Sequence, residues 1–199
     1  MPRPSLSDLT PTFADQASKA TNPQLAIEAL RNLVAKESQE ATRTNAIRQR
    51  AFAERVAELM RRYTNQQLTS AEVIAELISL AREAVAEPKR GEQFAPPLSD
   101  DELAFYDAVA ENESAVQVQG EGVLADIARE LVTVMQRDIR TDWAYRDDVK
   151  AKLRSSIKRL LAKHGYPPDK RPEAIKLVLD QMETLAPRFI ENKYSDEKS

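Results

Sequence analysis

Cysteine is absent from this 199-residue chain, and glycine appears only four times. Without cysteine there can be no disulfide, no thiolate zinc site and no cysteine nucleophile. Average usage would supply roughly 14 glycines. Hairpins and bulges consume glycine, so the shortage argues against an all-β fold. Histidine is nearly missing too: His164 stands alone and cannot found a histidine-rich metal site. No apolar run approaches the roughly 18 residues of a membrane span. Residues 1–10 lack the basic-then-apolar layout of a secretion signal. The net charge of −3 is too small for the chain as a whole to attract a polyanion. What is there, 42% hydrophobic and 31% charged residues, suits a soluble, intracellular, helical protein with one sizeable core.

The eleven prolines map the chain. Between Pro23 and Pro88 lie 64 residues with neither proline nor glycine. Proline costs about 3 kcal/mol and glycine about 1 kcal/mol inside a helix, so this stretch predicts long helices. Thr21-Asn22-Pro23 reads as a cap followed by first-turn proline. Leu25, Leu30, Leu33 and Val34 begin an apolar row, and Ile47, Phe52, Val56, Leu59, Met60 and Tyr63 resume it. Between them, 38–45 is polar, so a helix over 23–63 either kinks there or crosses solvent. Unbroken, it would be about 60 Å long at 1.5 Å per residue, and one end would project.

Thr69 with Glu72 and Ser99 with Glu102 form T/S-x-x-E capping boxes ahead of apolar periodic runs. Pro88–Leu98 reads as a loop. Val116-Gln117-Val118-Gln119 is the one alternating stretch, and too short to found a sheet. Gly120 and Gly122 are expected to bracket a turn. A helix follows from Leu124 to Ile139, then one capped by Asp142 and ended at Gly165, where a C-terminal cap needs positive φ. Ile175–Leu185 completes the set, with an end near Pro187. The expected fold is all-α: an irregular bundle of about six helices with one long N-terminal helix. The expected organisation is a mobile segment at 1–22, a single helical domain at 23–187 and a mobile tail at 188–199.

Charge is segregated. Residues 92–130 hold ten acids and one base, Arg129. Residues 150–171 hold eight bases, Lys150, Lys152, Arg154, Lys158, Arg159, Lys163, Lys170 and Arg171, and one acid, Asp169. Helical spacing puts Leu153, Ile157 and Leu160 on one face, Lys152, Arg159 and Lys163 opposite, and Arg154 and Lys158 flanking. The basic helix could contact phosphate backbone by displacing counterions, lie beside the acidic segment of its own chain, or form a solvated face.

No catalytic constellation emerges. None of the four glycines opens a phosphate-cradling G-x-x-x-x-G-K-[ST] loop. Asp100-Asp101-Glu102 follows a Ser cap, where carboxylates favour the helix dipole. Asp169, Glu173 and Lys176 have the wrong spacing for a metal-dependent nuclease triad. His164 suits packing or a helix C-terminus, and Trp143 suits a core anchor. No catalytic, cofactor-binding or metal-ligating residue is therefore assigned.

Ordered blocks do carry a resemblance. They run from Phe52-Ala-Glu-Arg-Val-Ala-Glu-Leu-Met-Arg-Arg-Tyr63 through Gln66-Gln67-Leu68-Thr69, Val73–Ile78, Leu98–Ala108 and Glu111–Val116. Asp142-Trp143, Val149–Arg154, Ile157–Leu161, Gly165-Tyr166-Pro167-Pro168-Asp169 and Ala174 complete them. Over about 23–186 the chain resembles the C-terminal helical region of the restriction (R, motor) subunit of type I restriction–modification enzymes. The resemblance implies a cytoplasmic bacterial or archaeal multidomain parent: an ATP-dependent type I site-specific deoxyribonuclease with a nuclease and two RecA-like motor domains using ATP and Mg²⁺. It implies that this region is an assembly domain without a catalytic centre. Its partners would be the rest of the R subunit and the methyltransferase and specificity subunits. The alternatives are an auxiliary duplex-DNA module built on the basic segment and a stand-alone helical adaptor using 23–63 as a coiled-coil arm.

Overall fold

The computed structural model describes residues 9–139, 143 and 146–196. Among them every regular element is helical, with no strand. The helices are α1 (Pro11–Ser18), α2 (Pro23–Ala41), α3 (Ala46–Thr64), α4 (Ser70–Ala86), α5 (Asp100–Ala110), α6 (Glu113–Asp138), α7 (Asp147–Lys163) and α8 (Arg171–Asp196). Short 3₁₀ turns at Glu87–Gln93 and Pro168–Lys170 precede α5 and α8. The chain divides into two compact units. One joins the chain up to Arg43 with Arg48–Arg90, and the other joins Thr44–Ile47 with the chain from Gly91 onward.

In the first unit α4 is the centre, with α2 and α1 packed on it. Its apolar residues recur at one-, three- and four-residue intervals, so Val73, Ile74, Leu77, Ala81 and Ala84 all lie on the buried side. Ile27, Leu30 and Val34 of α2 and Phe52 and Leu59 of α3 join the same core. Removing a side chain like Phe52 from water contributes roughly 1.5–3 kcal/mol. Its ring also carries the Arg48 guanidinium 5.0 Å from the centroid. Arg48 reaches Glu83 at 2.7 Å and Glu87 at 3.1 Å. The Glu83 carboxyl is held below its ordinary pKa, first by the hydrogen bond from Arg55, against the opposing effect of burial.

The long N-terminal helix is broken. Thr42 closes α2, its Oγ1 donating to the Ser38 carbonyl, and α3 starts afresh at Ala46. Within the first 22 residues, α1 forms, Leu9 and Ala17 are buried, and Arg82 donates to the Leu9 carbonyl at 2.6 Å. Residues 1–8 lie outside the described residues.

The second unit packs α5 on α6 and α8, α6 on α7, and α7 on α8. Its core holds Phe105, Val109, Leu124, Ile127, Leu131, Met135, Leu153, Ile157, Val178 and Met182. Both capping boxes form as expected, at Thr69–Glu72 and Ser99–Glu102. Gly165 has φ +72° and ends α7. The Val116–Gln119 stretch is helix, and only Gly120 (φ 76°, ψ 158°) breaks α6, while Gly122 continues it. Helix α7 begins at Asp147 with Arg146 in the cap position. Asp142, the expected cap, lies outside the described residues. Pro187 does not stop α8, which runs to Asp196. Phe189 and Ile190 pack on the core beyond it, and Lys193 Nζ donates to the carbonyls of Gln136 and Ile139, each at 2.8 Å. Those contacts outweigh the single backbone bond that proline removes.

Candidate functional site

In the second unit, α7 and α8 flank a groove of about 640 Å³. Lys150, Arg154 and Lys158, four residues apart on α7, form one wall. Pro172, Ile175, Lys176, Leu179, Asp180 and Glu183 of α8 form the other. Trp143, Pro168 and Arg171 complete it. Trp143 is 3% exposed and belongs to the core, as expected of an anchor. Ile175 and Leu179 are half-buried and pack on the same core. The groove thus has an apolar middle and a charged rim.

The structure divides the eight sequence-singled cations into two sets. Lys150, Arg154, Lys158 and Arg171 line the groove, whereas Lys152, Arg159, Lys163 and Lys170 do not. Lys150 lies 3.7 Å from Glu183 and 5.9 Å from the Trp143 ring centroid. Arg171 Nε donates to the Tyr166 carbonyl at 2.8 Å. Arg154 and Lys158 are exposed and have no carboxylate partner among the described residues. Lys176 shares that condition and faces the same groove. Sequence reasoning missed its part because it lies past the basic run, on the next helix. No spacing within α8 marks it, because the groove exists only where α7 and α8 pack.

Outside the groove, the basic helix does lie beside acids of its own chain. Lys163 bonds Glu130 of α6 at 3.2 Å, and Lys152 sits 3.7 Å from Asp138. Arg137, and after it Lys152, hold the Asp138 carboxyl below its ordinary pKa against the opposing effect of burial. For Glu130, burial pushes the pKa up, but hydrogen bonds from His164 and Lys163 outweigh it and the net shift is downward. His164 occupies the C-cap of α7, with Nε2 2.8 Å from Glu130 Oε1. Arg159 Nε donates to the Ser155 carbonyl at 3.4 Å. Lys170 lies 3.7 Å from Asp169.

The remaining acidic motifs lie in the first turns of helical elements. Asp100, Asp101 and Glu102 occupy the first turn of α5, and Asp101 pairs with Arg188. Asp169 lies in a 3₁₀ turn, while Glu173 and Lys176 lie on α8. Among the described residues no group of three or more His, Asp or Glu side chains could hold a metal ion. Gly91, Gly120 and Gly165 occupy tight or left-handed backbone positions. A Cβ on Gly91 would meet the Leu98 carbonyl oxygen at 2.3 Å, so the Leu98 backbone fills that space. Gly120 and Gly165 serve a helix break and a helix end. No helix among the described residues is long and apolar enough to cross a membrane.

Among the described residues the fold is all-α, with a groove between α7 and α8 that has an apolar floor and a charged rim. The family is specific: a model described as "Type I restriction enzyme HindI endonuclease subunit-like, C-terminal" matches residues 1–188, and the chain belongs to that family. It is 31% identical over 185 residues to the type I restriction enzyme HindI endonuclease subunit of Haemophilus influenzae, covering 93% of this chain and 17% of that protein. It is 27% identical over 164 residues to a Methanocaldococcus jannaschii protein named for the MjaIXP type I restriction endonuclease subunit, covering 82% of this chain and 16% of that one. The chain thus spans about a sixth of the length of the curated relatives it matches. No solved structure matches it.

Proposed function

We propose that this chain is a non-catalytic assembly domain of a type I restriction endonuclease subunit. It docks that subunit on the methyltransferase and specificity subunits and packs on the motor and helical domains, in the cytoplasm of a bacterium or archaeon. The observation that carries this reading is membership of a family defined by the C-terminal part of such subunits. The groove supports it, since an apolar floor ringed by charge is how interaction surfaces are built. ATP and Mg²⁺ are assigned to the rest of the parent subunit. The test is capture of the purified chain by the purified methyltransferase core, alongside ATPase and nuclease assays of the chain alone. The expected result is association without either activity. Failure to associate with both the core and the rest of the R subunit refutes the docking role.

A second reading, contact with duplex DNA backbone, is favoured by the exposed Arg154, Lys158 and Arg159 on α7, which have no carboxylate partner among the described residues. It requires binding that weakens steeply with salt, the slope reporting the number of phosphates neutralised.

A further inference from the structure

We infer that the α7–α8 groove is the docking site for an acidic, amphipathic polypeptide segment of a partner subunit; this rests on the assembly reading. Lys150, Arg154 and Lys158 lie at four-residue spacing, so their row extends about 12 Å along α7 at 1.5 Å per residue. The facing row on α8 runs from Pro172 to Glu183, about 16 Å by the same rise. That length accommodates two to three turns of helix, and 640 Å³ is ample for several side chains.

The lining selects the occupant's chemistry. Ile175, Leu179, Pro168 and Pro172 offer apolar surface that an inserted apolar side chain would cover. Lys150 and Glu183 neutralise each other at one end. Beyond that pair, Arg154, Lys158 and Lys176 stand without carboxylate partners among the described residues, and carboxylates of a partner complete them. A segment with apolar residues along one face and acids beside them satisfies both demands.

Duplex DNA satisfies only one. A phosphate backbone has nothing apolar to place on Ile175 and Leu179, which an amphipathic segment would cover. Trp143, at 3% exposure, has no free face on which a base could stack.

The test measures fluorescence anisotropy of the full chain with three labelled probes. These are an 18-residue Leu/Glu amphipathic peptide, its Lys-for-Glu counterpart and a 16-base-pair duplex DNA. The expected result is saturable binding of the Glu peptide. The Lys peptide should bind at least tenfold more weakly, and the duplex should not compete. Arg154→Glu with Lys158→Glu should weaken the Glu peptide at least tenfold, whereas Arg159→Glu, off the groove, should change it less than twofold. Absence of Glu-peptide binding, equal loss in the Arg159 variant, or competition by the duplex overturns the inference. Capture by the methyltransferase core separates it from the reading beneath it. If the core captures the wild type and the double charge-reversal variant equally, assembly stands and the groove falls. If the Glu peptide discriminates the variants but the core captures nothing, the groove's chemistry stands and the assembly reading falls.

Discussion

Gln181 is completely buried, and both ends of its amide are used on the segment that opens α3. Its Oε1 accepts from the Ala46 N–H at 3.0 Å, and its Nε2 donates to the Thr44 carbonyl at 2.6 Å. Gln181→Leu keeps the bulk and removes both bonds. A buried group left unpaired costs about 1–3 kcal/mol. Ala46 N–H lies at a helix start, where water can replace a partner, so the combined loss should be about 2–4 kcal/mol. At about 2–4 °C per kcal/mol for a chain of this size, the melting temperature should fall by about 4–16 °C. Urea denaturation followed by circular dichroism gives the free energy directly.

Gln181→Glu sharpens the test, because its penalty should depend on pH. An ionised carboxylate accepts from Ala46 but faces the Thr44 carbonyl without a proton. A protonated one restores both bonds. Its folded-state pKa should therefore rise above the unfolded value of about 4.3. A raised pKa means the stabilisation is present below the unfolded value and is lost as pH rises through the folded value. The variant should match wild type near pH 4 and fall behind it towards neutrality. A Leu variant within 0.5 kcal/mol of wild type (about the ordinary scatter of surface substitutions), or a Glu variant whose deficit is flat across that range, would falsify the two-point clamp.

Further outcomes follow from single contacts. Gly91→Ala places a Cβ at 2.3 Å from the Leu98 carbonyl oxygen, so backbone must move, and denaturation should show a loss of about 1–3 kcal/mol, as for overpacking. Ser99→Ala removes the cap on α5, whose side chain accepts from the Glu102 N–H; the loss should be about 1 kcal/mol, with no change in cooperativity. Tyr166 donates to the Val109 carbonyl at 2.7 Å, and burial, with Glu173 second, pushes its phenol up to about 12. Because the folded pKa exceeds the unfolded value near 10, its contribution is intact below pH 10 and is lost as pH rises towards 12. Ultraviolet titration should show one tyrosine ionising last, absent from Tyr166→Phe, and the variant's stability should lose less than wild type's across that window.

What the sequence made legible was local. Capping boxes at Thr69–Glu72 and Ser99–Glu102 and the positive-φ Gly165 depend on residues within one turn of each other, and all three appear as read. The break at 42–45 does not carry proline or glycine. Part of what holds it is Gln181, 137 residues beyond Thr44 in sequence, which no window analysis reaches. Pro187 misled for the same reason: Phe189, Ile190 and Lys193 carry α8 past it through packing elsewhere in the unit. At the groove, spacing along α7 was readable, since Arg154 and Lys158 flank the apolar face of their own helix. The addition of Lys176 and the exclusion of Lys152, Arg159, Lys163 and Lys170 needed the partner helix.

Lys193 also bears on where a fold ends. Its ammonium serves as the terminal cap of α6, a helix that closes more than fifty residues earlier. Chain order and structural order are therefore interleaved: the residues past Pro187 are part of α6's finish. Trimming the chain at the proline, the natural place to cut by composition, would unpin carbonyls in the middle of the sequence while leaving that sequence untouched.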